Sequence, residues 1–159
     1  MVRLIAAVSV IGGLLFLGAK QVNATTSALG LRNNNPGNLR PEPGDVYTWN
    51  GEVGVNKGYL VFDEMENGVR AAYINLRSYF RNGFNTVEKI IARWAPREDD
   101  NDTEAYIQFV EDRLNVSRGQ KLYFNEGVGS ELLKAIFYVE NGGWEIPRRT
   151  LDEGITRAL

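Results

Sequence analysis

Residues 130–144, Ser-Glu-Leu-Leu-Lys-Ala-Ile-Phe-Tyr-Val-Glu-Asn-Gly-Gly-Trp, decide the reading of this chain. Ser130 is a good N-cap, the following run is almost entirely apolar, and Asn141-Gly142-Gly143 is a strong stop signal, so the pattern predicts a buried helix over residues 131–140. That helix closes on Glu140. A helix C-terminus carries negative partial charge, so an anionic carboxylate there is disfavoured, and Phe137, Tyr138 and Trp144 are positioned to desolvate it further. Both effects raise the pKa. A carboxyl that keeps its proton near neutral pH is what a general acid for glycoside cleavage requires. The alternative is a glutamate that frays into solvent at a helix end.

Working back from this helix, the same periodicity marks three more. Thr103 or Asp102 caps one carrying Tyr106, Ile107, Phe109, Val110 and Leu114, and Thr86 caps another carrying Val87, Ile90, Ile91 and Trp94 before Pro96 ends it. From Asn67 the residues Val69, Ala72, Tyr73, Leu76, Tyr79 and Phe80 recur at intervals of three and four up to Asn82-Gly83. Ahead of these, Tyr47-Thr-Trp49, the pair Asn50-Gly51, and Tyr59-Leu-Val-Phe62 read as a small hairpin. Residues 31–58 are otherwise dense in Asn, Gly and Pro and form a structured loop, while residues 150–159 form one short terminal helix. The expected fold is therefore α+β, mostly α, with one small β-hairpin.

The 159 residues are enough for one core. With no histidine and no cysteine, the chain has no Ser-His-Asp or Cys-His nucleophilic system, no disulfide, and no zinc site of imidazole or thiolate. The acidic runs lack calcium-loop spacing, so neither a metal nor a cofactor is expected. A net charge of −2 offers no global field for phosphate neutralisation, which argues against nucleic acid. Residues 4–19 are uncharged and reach roughly 24 Å as a helix. The first 20 residues read as a hydrophobic anchor, or as a signal segment with a small-residue cleavage site at Val22-Asn23-Ala24, followed by a linker over 21–30 and a domain over 31–159. Small residues along the segment suit packing against lipid or another protein.

Candidate ligand-binding residues lie in the loop and among the tryptophans. Asn33, Asn34, Asn35 and Asn38 surround Pro36-Gly37 and present amides suited to sugar hydroxyls or acetamido groups, although the same residues close turns for their own sake. Trp49, Trp94 and Trp144 offer flat faces to sugar rings, against the alternative that a Trp in a helical stripe, as Trp94 is, belongs to the core. Asp63, Glu64, Glu66 and Glu98 read as solvated loop surface.

The stretch Arg32-Asn-Asn-Asn-Pro-Gly-Asn-Leu-Arg40 resembles a family of small phage and prophage virion proteins. The likeness continues through Trp49-Asn-Gly51, residues 62–71 (FDEMENGVRA), residues 90–96 (IIARWAP) and residues 139–143 (VENGG). Several segments also resemble lysozyme-like lytic transglycosylases. Residues 132–143 are similar to the helix that ends in their catalytic Glu, residues 91–96 stand where their Ala-Tyr-Asn-Ala-Gly stretch would be, and residues 101–107 resemble the segment carrying their active-site Tyr. The Glu helix comes first in that family and last here, which implies a circular permutation, and Gly37-Asn38-Leu39-Arg40 is a loose counterpart of their Gly-Leu-Met-Gln.

The resemblance implies a lysozyme-like domain acting on peptidoglycan at the bacterial envelope, carried in the virion. Glu140 would be the acid, Tyr106 its orienting partner, and Asn34, Asn38, Arg40, Trp49, Trp94 and Asn141 the lining of a sugar cleft. The alternative is a non-catalytic structural protein of a virion or its membrane. A signal-anchored lysis enzyme is a third reading.

Overall fold

The computed structural model describes residues 27–41, 49–97 and 102–159. The hydrophobic segment at residues 1–20 and the attachment function expected of residues 4–19 lie outside the described residues. Eight elements are described: α1 (Leu29–Arg32), β1 (Glu52–Asn56), β2 (Tyr59–Phe62), α2 (Met65–Arg81), α3 (Val87–Trp94), α4 (Thr103–Leu114), α5 (Glu126–Glu140) and α6 (Arg148–Thr156). The class is α+β and mostly α, as the periodicity predicts. Among the described residues no helix is long and apolar enough to cross a membrane.

The frame is built on α2. Val69, Ala72, Tyr73, Leu76 and Tyr79 recur at intervals of three and four and are all buried, so one stripe of this helix meets α5, α6 and β2 together. α4 packs between α3 and α5, turning Tyr106, Ile107 and Val110 inward. Its start is fixed twice. The Asp102 carboxylate accepts from the Ala105 N–H at 3.0 Å, and the Thr103 hydroxyl donates to the Ala95 carbonyl at 2.8 Å, tying α4 to the end of α3.

Several boundaries differ from the sequence reading. α5 begins at Glu126, not after Ser130, because Asn125 caps it by accepting from the Val128 N–H at 2.9 Å. The hairpin pairs Asn56 with Tyr59 and turns at Lys57-Gly58, both of which have positive φ, rather than at Asn50-Gly51. That two-residue left-handed turn matches the twist of antiparallel strands. In β2, Leu60 and Phe62 are buried and alternate with half-buried Tyr59 and Val61, so the hairpin lays one face on the core. Finally, Leu29 and Gly30, at the end of the expected linker, form the first half of α1, and Gly30 is buried. The helix expected over 150–159 runs over Arg148–Thr156.

Candidate functional site

The asparagine loop that follows α1 is folded by its own side chains. Asn35 substitutes for a missing strand: its Oδ1 accepts from the Leu39 N–H, and its Nδ2 donates to the carbonyls of Leu39 and Leu60, each at 2.9 Å. Asn34 pins the loop to the end of β2 by donating to the Phe62 and Asp63 carbonyls at 3.0 and 3.1 Å. Asn33 accepts from the Asn56 amide at 2.9 Å. Asn34 and Asn38 both have φ near +50°, a conformation that asparagine tolerates better than most residues. Three of the four asparagines thus organise the loop. The fourth, Asn38, is aimed at Glu140.

Glu140 is the last residue of α5 and only 6% exposed. Its Oε2 accepts from Asn38 Nδ2 at 2.8 Å, and the same amide lies 3.3 Å from the Glu140 main-chain carbonyl. Its Oε1 accepts from the Tyr106 hydroxyl at 3.2 Å. Arg40, whose guanidinium lies 4.9 Å from the Tyr59 ring centre and donates to the Tyr59 hydroxyl at 3.1 Å, acts on the carboxyl through its charge. Burial pushes the Glu140 carboxyl up to about 8, against the Asn38 and Tyr106 hydrogen bonds and the Arg40 charge, all of which favour the anion. The negative end of α5 acts in the same direction as burial. Tyr106 is also raised, first by burial and then by the Glu140 charge and hydrogen bond, so it stays a protonated donor.

The Tyr106 hydroxyl has a second acceptor, the Ile136 carbonyl, at 3.3 Å. One hydroxyl proton serves one of these well at a time. When Glu140 is ionised, Tyr106 donates to it. When Glu140 is protonated, Tyr106 can donate to Ile136 and accept from the acid, so both protonation states are satisfied without moving a heavy atom.

Asn141 holds the far side. Its Nδ2 donates to the Pro36 carbonyl at 2.7 Å and to the Phe137 carbonyl at 2.9 Å, locking the asparagine loop onto the end of α5. Gly30 in α1 makes this closure possible. A side chain there would begin 2.6 Å from Asn141 Oδ1, 2.7 Å from Asn38 Oδ1 and 2.8 Å from the Asn35 carbonyl, which is closer than a Cβ approaches oxygen.

The expected pair is therefore together: Glu140 and Tyr106 touch, with Asn38 on the other carboxyl oxygen, Asn141 next in the chain, and Arg40 within electrostatic reach. Trp94 corrects the sequence reading. It is fully buried, edge-on to Tyr79 at 6.0 Å and backing Gly37, so its ring supports the loop from the core and presents no face to a sugar. Asn34 is engaged with β2, as above. Trp49 is half-buried, packs on the core, and donates its main-chain N–H to Glu52 at 2.8 Å. Among the described residues no group of three or more carboxylates gathers in a way that could hold a metal ion. Sequence reasoning missed Gly30 and the Ile136 carbonyl, neither of which carries side-chain chemistry to read.

The chain matches no protein-family model. It is 39% identical over 119 residues to Protein P5 of Pseudoalteromonas phage PM2, an alignment covering 73% of this chain and 72% of P5. Identity at that level over most of both chains is common descent rather than a shared motif, and the chain belongs to the family of phage proteins that includes Protein P5 of phage PM2.

Proposed function

We propose that this protein is a virion-associated peptidoglycan-degrading enzyme of the lytic transglycosylase or muramidase type, acting as a phage crosses the host envelope. The observation that carries the reading is the buried Glu140 carboxyl at the end of α5, raised to about 8 and held by neutral donors. Protonated at neutral pH, it gives its proton to the oxygen linking N-acetylmuramic acid to N-acetylglucosamine. The bond from that oxygen to the muramyl C1 breaks, the ring carbon takes up the positive charge, and Glu140 is left as the carboxylate that Asn38 and Tyr106 stabilise. The carboxylate then takes a proton from the attacking hydroxyl. Among the described residues the charged group acting on Glu140 is the Arg40 cation and not a second carboxylate, which favours the muramyl 6-hydroxyl over a base-activated water as nucleophile. Residues 4–19 would attach the protein to membrane or to other virion proteins.

The deciding experiment incubates the full-length chain with intact sacculi and weighs the released fragments. Ends with 1,6-anhydromuramic acid mark a transglycosylase, reducing muramic ends a muramidase. One observation favours a different reading, a non-catalytic structural phage protein: both Glu140 oxygens already have protein partners and the residue is almost fully enclosed. No release of either product, where a control muramidase acts, would establish that reading instead.

A further inference from the structure

At the other end of α5 lies a feature that the acid does not use. Phe124, just ahead of the Asn125 cap of α5, joins Phe80, Arg77, Arg81, Asn85 and Tyr123 around an open groove of about 430 Å³. Glu140 is fourteen residues further along the helix from Glu126, about 21 Å away at 1.5 Å per residue, so the groove is separate from the acid.

Two features mark the groove. Arg77 and Arg81 stand one turn apart on α2 and, among the described residues, neither forms an ion pair of the kind that Arg113, Arg118 and Arg157 form within 4.0 Å. Arg77 donates only to the Ala158 carbonyl, at 3.3 Å, and its Nε is buried with no partner. Glu126 and Arg77 both act on Tyr73, in opposite directions, without forming an ion pair with each other. Two guanidinium groups four residues apart repel; Arg81 closes α2, whose negative end offsets part of that repulsion, and among the described residues no carboxylate pairs with either arginine.

The second feature is Tyr123, which is 81% exposed. It is not on a loose tip: the Leu122 N–H donates to the Asn85 carbonyl at 2.8 Å on one side, and Phe124 packs on Phe80 and Tyr73 at 5.0 and 5.4 Å on the other. A tyrosine ring thus stands in water on an anchored stretch of chain, beside a pair of arginines.

We infer that this groove binds a carboxylate-bearing saccharide, with the Tyr123 face against a sugar ring and the Arg77 and Arg81 guanidinium groups on the carboxylates. Resting on the function proposed above, this makes the groove a second hold on peptidoglycan, whose glycan carries acidic stem peptides, remote from the bond that is cut. The groove volume suits one or two sugar residues, and planar guanidinium forks suit carboxylates better than a diffuse charge would.

The test uses the full-length Glu140→Gln protein, so that binding is read without cleavage, in co-sedimentation with sacculi before and after chemical amidation of their carboxyl groups. Arg81→Ala and Tyr123→Ala, both at exposed positions, should each weaken sedimentation about fivefold or more. The Arg81 effect should fade in high salt, and sacculi with amidated carboxyls should bind as weakly to the parent as untreated sacculi do to Arg81→Ala. In the active background the same two variants should cleave a short soluble glycan at the parental rate. Unchanged sedimentation of both variants would overturn the groove proposal while leaving the proposed activity intact. Equal binding of amidated and untreated sacculi would overturn the assignment of the arginines to carboxylates. Groove-dependent binding with no cleavage by the unsubstituted chain would sustain the groove and remove the enzymatic reading.

Discussion

Glu111 and Glu140 sit on neighbouring helices, α4 and α5, and are the two buried carboxylates among the described residues, at 4% and 6% exposure. They are held in opposite ways. Glu111 accepts from the Arg118 guanidinium at 2.7 Å, and Arg118 also reaches Glu104 at 2.8 Å, so the buried charge is met by a charge. Glu140 is met by an amide and a hydroxyl, with a cation acting only from beyond hydrogen-bond distance. A buried ion is tolerated when it is paired, and an unpaired one takes up a proton instead. The fold thus pairs one glutamate with a cation and holds the other between neutral donors. The difference separates a residue that clamps α4 to the loop beyond it from one that, on the function proposed above, transfers a proton.

The sharpest way to break this contrast is to replace both by glutamine. Glu140→Gln should lower cleavage of sacculi by about a thousandfold or more, since an amide cannot donate the required proton, while Glu111→Gln should leave turnover within about twofold of the parent after correction for folded fraction. Product release is measured by chromatography of digested sacculi. Comparable losses in both variants would show that Glu140 acts through the fold and not the chemistry.

Stability should divide the pair next. The Glu140 carboxyl binds its proton more tightly in the folded chain than in the unfolded one, so its stabilising effect is complete at acid pH. It is lost progressively as pH rises from the ordinary carboxylate range through about 8. The shift corresponds to ~5 kcal/mol between those limits. Glu140→Gln removes this slope and should be the more stable protein at pH 9. The amide fits the site: its oxygen can accept from Asn38, and its nitrogen can donate to a Tyr106 that turns to Ile136. Denaturant unfolding at pH 5 and pH 9 reads the difference directly. For Glu111→Gln the expected result is the reverse, a melting temperature lowered by about 3–5 °C at neutral pH.

How far the sequence foretold this contrast depends on the scale of the feature. The helix spans were readable because stripes such as Val69, Ala72, Tyr73 and Leu76 repeat over several turns. The start of α5 was not, because Gly127 and Gly129 interrupt helix propensity before Ser130. In the fold Gly129 faces Tyr73, where a side chain would begin 2.7 Å from the ring, so a tertiary contact outweighs the local preference. The hairpin was misplaced for a related reason. Asn50-Gly51 is the stronger turn signal, but Gly51 leads into β1 with its carbonyl accepting from the Asp63 N–H at 2.8 Å. At the site, Glu140 announced itself by standing at the wrong end of a helix. Asn38 did not, since it is the same residue type as Asn33, Asn34 and Asn35, and only the turn at Pro36-Gly37 separates the one that reaches the acid from those that build the loop. Trp94 followed its stripe into the core.

The site should also respond to a methyl group placed behind it. Gly30→Ala puts a carbon against Asn38 Oδ1, Asn141 Oδ1 and the Asn35 carbonyl, and the loop must move to admit it. The expected cost is about 2 kcal/mol in unfolding, with activity falling further than stability because Asn38 is displaced from Glu140. Rates measured well below the melting temperature separate the two effects. A variant that loses stability but keeps full activity would show that the position of Asn38 does not matter to the acid.

The smallest and most specific effect belongs to Tyr106→Phe. The ring stays, so packing is nearly conserved, and loss of one buried hydroxyl should lower stability by about 1 kcal/mol. The chemistry should change in a way that packing cannot imitate. Tyr106 holds the Glu140 carboxyl down by donating to the anion, so its removal should raise that pKa further. The alkaline limb of the rate profile, where the acid loses its proton, should then move to higher pH, even as the maximum rate falls about tenfold for want of a donor to the carboxylate that proton transfer leaves behind. A limb that stays in place, or moves toward acid, would mean that Tyr106 does not govern the proton on Glu140, and the resemblance between this carboxylate and a tuned general acid would lose its physical basis.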